Sequence, residues 1–136
     1  MSISLGVGAS SFPIGSGEFF NSFFSTVATR LEGGDWGSRF PVLMKRLYQG
    51  RMEAVEADSA LIELTQIAEE FQQLPRTDAV WDATDLSQQA PWGDDVAPTI
   101  TSLANYFWTS DGRDLIAVLD RALRLAQTGG NPVVIE

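Results

Sequence analysis

Between residues 18 and 31 the chain sets Phe19, Phe20, Phe23, Phe24, Val27, Ala28 and Leu31 at helical spacing, forming one broad apolar stripe. A stripe that wide must be buried against other structure, so it fixes both a helix and the position of a core. Ser16 stands where an N-cap belongs, and Gly33-Gly34 supplies residues that tolerate the left-handed conformation at a helix end. The four phenylalanines are therefore read as packing rather than as ligand contacts.

Other segments follow the same periodicities. Ile3, Leu5, Val7 and Ala9 alternate with Ser4, Gly6, Gly8 and Ser10, which predicts a strand with one apolar face. Its glycine face predicts a close approach, expected to be helix packing. A turn is expected around Phe12-Pro13 and Gly15. Phe40, Leu43, Met44, Leu47 and Tyr48 predict a short second helix with Pro41 near its first turn. Residues 56–74 carry Ala57, Ala60, Leu61, Leu64, Ile67, Ala68 and Phe71 on one face and predict a helix ended by Pro75.

Beyond it, Ala79-Val80-Trp81 predicts a short strand, residues 82–95 a long polar loop, 99–104 a short helix, and Tyr106-Phe107-Trp108 a short buried strand. Residues 113–127 predict a last helix ended by Gly129-Gly130, and Pro132-Val133-Val134-Ile135 a strand paired inside the sheet. The expected architecture is α+β: one domain over 1–136, with a small, mainly antiparallel sheet packed against about four to five helices.

Composition narrows the chemistry. The 136 residues include no histidine and no cysteine, which removes the commonest acid, base, nucleophile and zinc ligands and excludes a disulfide framework. An enzyme would have to work with carboxylates alone. Nine Lys and Arg stand against 18 Asp and Glu, a net charge of -9. Nucleic acid and anionic membranes would be repelled, whereas a basic partner would be steered inward. The same charge also serves solubility. The first basic residue is Arg30 and no apolar run is long enough to span a bilayer, so no signal peptide or membrane segment is expected and a cytoplasmic location is.

Several constellations bear on chemistry. Gly6-Val7-Gly8 follows the first strand, but Ser11 stands where a dinucleotide fingerprint needs its third glycine. Thr109-Ser110-Asp111-Gly112-Arg113-Asp114 runs straight into an apolar helix, as capping residues do and a calcium loop does not. Asp82, Asp85, Asp94 and Asp95 share the long loop and read as a solvated acidic loop, a partner-binding loop, or a catalytic or magnesium-binding group. Trp36-Gly37 and Trp92-Gly93 are both flanked by aspartate; each indole is either an interface anchor or a plug at the domain edge.

Taken in order, Phe23-Phe24-Ser25-Thr26-Val27, Trp36-Gly37-Ser38-Arg39-Phe40-Pro41-Val42, Leu47-Tyr48-Gln49-Gly50, Val80-Trp81-Asp82, Pro91-Trp92-Gly93 and Thr109-Ser110-Asp111-Gly112-Arg113-Asp114-Leu115 form a recurring set. This set resembles the immunity protein 70 family of bacterial polymorphic toxin systems, over residues from about 3 to 126. The resemblance implies a small cytoplasmic protein that binds a cognate toxin domain and blocks it, without catalysis, cofactor or metal. It brings no residue assignments. From the physical reading, Trp36 and Trp92 are the expected anchors, with Asp35, Asp82, Asp85, Asp94 and Asp95 as steering or charge-paired groups.

The expected partner is a basic toxin domain, nucleases being a class whose charge fits, and the protein itself a monomer or small homo-oligomer. Two rivals stand beside this reading: a carboxylate-based hydrolase using the 82–95 loop, and a non-catalytic adaptor subunit. A deep cleft with two carboxyl groups about 5 to 10 Å apart would favour the first, and a large continuous apolar patch the second.

Overall fold

A computed structural model describes residues 2–93 and 96–136. Strands β1 (Ser2–Val7) and β2 (Ser10–Ser16) form an antiparallel hairpin. Gly8 begins its two-residue turn at φ 58°, the positive value that a primed hairpin turn requires at that position. The turn expected at Phe12-Pro13 is thus corrected to a strand. Proline misled the reading because it cannot donate to a ladder, but β2 lies at the sheet edge, where that donor is dispensable. The register slips between Ile3 and Ser4, whose partners are Gly15 and Pro13, leaving Ile14 as an extra, fully buried residue.

Two further strands, β3 (Arg51–Met52) and β4 (Val133–Ile135), complete a four-stranded sheet in the order β2-β1-β4-β3, antiparallel throughout. As its continuous apolar character predicts, β4 lies between two other strands. The glycine face of β1 differs from expectation. A Cβ on Gly6 would fall 1.9 Å from Oε1 of Glu136, so the glycine makes room for that carboxylate rather than for a helix.

There are three α-helices: α1 (Gly17–Leu31) and α3 (Leu115–Gly129) pack on the sheet, and α2 (Ala57–Phe71) packs against them. α1 and α3 are capped as the sequence predicts, whereas α2 ends at Phe71, three residues short of the expected 74. Ser16 Oγ accepts the Phe19 N–H at 3.1 Å, Asp114 accepts that of Ile116 at 3.0 Å, and Gly130 closes α3 at φ 70°. The 109–114 segment is therefore a capping structure, with the Thr109 N–H also bound to the Arg113 carbonyl at 2.7 Å. The phenylalanine stripe meets α2 and the segment before α3: Phe23 sits edge-on to Phe71 at 5.8 Å and to Phe107 at 5.3 Å, all buried.

The second predicted helix is a π-type turn over Val42–Leu47, in which the Tyr48 N–H reaches back five residues to the Leu43 carbonyl at 3.1 Å. Its widening goes with partners from elsewhere in the chain. Glu63, on α2, accepts the N–H groups of Val42 and Leu43 at 3.1 and 2.9 Å, and the Trp36 indole donates to the Met44 carbonyl at 2.8 Å.

Three smaller expectations change. Ala79-Val80-Trp81 pairs with side chains instead of a strand: the Val80 N–H donates to Thr26 Oγ1 at 2.9 Å, and its carbonyl accepts from Ser22 and Thr26 on α1. The helix expected at 99–104 is one 3₁₀ turn, Leu103–Asn105, capped by Ser102. In the predicted buried strand, Phe107 is buried but Trp108 is 46% exposed and joined to Asp114 by a single bridge.

Candidate binding face

Trp36 lies in a loop organised by one buried carboxylate. Glu32 accepts the backbone N–H groups of Gly37 and Arg39 at 3.0 Å each and of Phe40 at 3.1 Å, so a single side chain sets the path of the 33–40 segment. Within that path the half-buried Trp36 ring packs against Tyr48, with centroids 5.2 Å apart, and its N–H is held by Met44. Asp35 beside it is exposed. The indole thus braces the π-type turn from inside the molecule.

Glu63, the other carboxylate at that turn, is half-buried. Burial pushes its pKa up, the two backbone N–H groups pull it back, and the charge of Glu32 adds to the rise. At the rim, Arg39 grips Glu70 with both terminal nitrogens, at 2.8 and 2.6 Å, which holds the Glu70 carboxyl below the usual glutamate range.

Trp92 occupies a different setting. Its indole N–H donates to the Tyr106 hydroxyl at 2.9 Å and its ring meets Trp81 edge-on, with centroids 5.5 Å apart, while 39% of the residue stays exposed. The acidic residues of its loop shape that loop. Asp82 accepts both the N–H and the hydroxyl of Thr84, and Asp85 accepts both from Ser87 with a further bond from Gln88. Those bonds, the Ser87 hydroxyl foremost, lower the Asp85 pKa and keep it ionised. Each carboxylate is engaged with its own turn. Asp94 and Asp95, also expected at this face, lie outside the described residues.

A groove of about 690 Å³ lies on one side of Trp92, walled by Trp81, Trp92, Trp108 and Tyr106 and floored by Ile14 and Phe19. Glu18, in the first turn of α1, is its one charged lining residue among those described. A second depression, of about 570 Å³, shares Trp81 and Tyr106 but is lined by Arg30 and Arg76. Both guanidinium groups there are fixed by backbone carbonyls, Arg30 by that of Asp78 at 2.8 Å and Arg76 by that of Ile100 at 3.0 Å. The aromatic wall therefore separates an acidic, apolar side from a basic, polar one.

Of the expected anchors, Trp36 and Trp92 fall in separate aromatic clusters, one around Tyr48 and the other around Trp81 and Tyr106. Trp81, Tyr106, Trp108 and Glu18 were not foreseen. Tyr106-Phe107-Trp108 held a usable signal, since alternation turns its flanking rings outward if Phe107 points in. Among the described residues no group of three or more Asp and Glu side chains could hold a metal ion, and no helix is long and apolar enough to cross a membrane.

These features define a small α+β domain with a preformed aromatic face on one side of its first helix. The family model described as Immunity protein 70 matches residues 5–135, and the chain belongs to that family. The match extends past residue 126, where the resemblance read from the sequence ends, and takes in β4. Comparisons with curated proteins and with solved structures found no match.

Proposed function

We propose that this chain is the immunity partner of a bacterial polymorphic toxin, and that it neutralises the toxin domain by covering its active site with the Trp92 face. The observation that carries this reading is the state of Trp92: a large indole, ordered by Trp81 and Tyr106, yet still 39% exposed in a chain of an immunity protein family. Indoles held rigid at a surface are the side chains that most often anchor an interface.

Asp82 and Asp85, together with Asp94 and Asp95, give that loop its negative charge, and Asp35 with Trp36 extends the acidic surface elsewhere. With a net charge of -9, the protein steers a basic toxin toward itself, and a basic nuclease fits best. Such an inhibitor needs no cofactor, metal or catalytic group. It acts as a cytoplasmic protein of one domain, monomeric or a small homo-oligomer, on an interface of about 800 Å² per partner.

The test is co-expression with the toxin domain encoded beside the gene. Cells survive when the parent chain is present and die when it is absent. Survival that does not depend on the parent chain, or a toxin that fails to co-purify with it, would overturn the reading.

A further inference from the structure

We propose that the groove beside Trp92 seats a lysine or arginine side chain of the toxin partner, carried on an apolar segment. This rests on the toxin-binding reading and adds to it the chemistry of the contact.

The first support is what the tryptophans leave unused. The Trp92 N–H is donated to Tyr106, and the Trp108 N–H to the Asn105 carbonyl at 2.8 Å. Both residues are substantially exposed, at 39% and 46%, so at these two indoles a visitor meets ring faces and C–H edges rather than a free N–H donor. Such surfaces attract two kinds of group, apolar ones and cations that sit over the negative face of a ring.

Charge selects between them. Glu18 has no ion-pair partner among the described residues, and no lysine or arginine lines the groove. The whole chain carries -9, and Arg76 reaches the groove only from behind its lining, through the carbonyls of Ala97 and Ile100. The groove's one charged lining side chain among the described residues is the Glu18 carboxylate, which favours a cation. The neighbouring depression holds Arg30 and Arg76, which would repel one, so the preference belongs to this side of the aromatic wall alone. Ile14 and Phe19 at the floor accommodate the aliphatic stem that a lysine or arginine brings with it.

Benzylguanidinium and benzylurea, which share a shape and differ in charge, make the test. Each is titrated into the intact protein at low salt, following the indole N–H resonances of Trp92 and Trp108. The cation should bind about fivefold tighter or more, and Glu18→Gln should bring the ratio below about twofold with the fold unchanged by circular dichroism. Trp108→Ala should weaken both probes.

Equal binding of the two probes would overturn the inference, as would a preference that survives Glu18→Gln or a cation that perturbs only resonances outside the groove. The two readings fail separately. Equal probe binding with toxin rescue intact removes the cation site, whereas lost rescue with the cation preference intact removes the toxin as its source.

Discussion

Ser22 donates its hydroxyl hydrogen to the carbonyl oxygen of Val80 at 2.7 Å, fastening the root of the Trp92 loop to the first helix across 58 positions of sequence. Thr26, one turn further along α1, completes the latch by accepting the Val80 N–H at 2.9 Å. All of these groups are buried, so the latch leaves no room for water to replace a lost partner.

Thr26→Val should therefore cost about 1–3 kcal/mol, because it strands a buried N–H, while Ser22→Ala should cost about 1 kcal/mol, since the single Thr26 hydroxyl hydrogen, 2.8 Å from the Ser22 carbonyl, can turn to that of Val80 at 3.1 Å. Urea unfolding of the two variants checks the order. A Thr26→Val variant as stable as Ser22→Ala would contradict it.

Glu32→Ala removes the acceptor of three backbone N–H groups at once. The expected loss is about 3 kcal/mol or more, and the Trp36 fluorescence should shift toward that of a solvated indole as the 33–40 loop loosens. Thermal unfolding together with the emission spectrum gives both readings.

The two glycine-followed tryptophans should separate by what they affect. Trp36→Phe keeps a ring against Tyr48 but loses the bond to the Met44 carbonyl, so it should cost about 1 kcal/mol of stability. Trp92→Ala, at a more exposed ring, should change stability less and weaken toxin binding at least about tenfold, mainly through a faster off-rate. Unfolding and surface-binding kinetics on both variants test the contrast, and the reverse pattern would overturn it.

Two glutamates should titrate in opposite directions from the ordinary value of about 4.3. Burial raises Glu63, so the folded state holds that proton more tightly; its contribution is full at low pH and is lost as pH rises through the raised value. Arg39 lowers Glu70, whose contribution is present above the unfolded value and is lost as pH falls through the lowered one. Carboxyl carbon NMR should place the Glu63 midpoint above that of Glu70. Because the Arg39–Glu70 pair is largely solvated, Glu70→Gln should cost only about 0.5 kcal/mol at pH 7, and nothing at a pH below both values.

Much of the fold was legible because α1, α2 and α3 each repeat an apolar face over several turns, α1 and α3 carry their own caps, and β4 is apolar on both sides. What was not legible depends on partners far away in sequence. Pro13 reads as a breaker until β2 is known to be an edge, the 42–47 segment reads as an α-helix until Glu63 and Trp36 engage its backbone, and Val80 reads as a strand until Ser22 and Thr26 take its hydrogen bonds. The site divides likewise. Trp92 stood out as an indole in a long polar loop, whereas the meeting of Trp81, Trp108 and Glu18 around it is set by tertiary packing alone.

The place of β4 between β1 and β3 bears on when the protein can first exist. The sheet stays in two pieces until residues 133–135 pair, since they join the hairpin of residues 2–16 to the strand at 51–52. Closing contacts over so long a stretch is slow compared with forming helices. The helices, whose contacts are local, can therefore form before the sheet closes, and the pairing of β4 is the step that joins its two pieces.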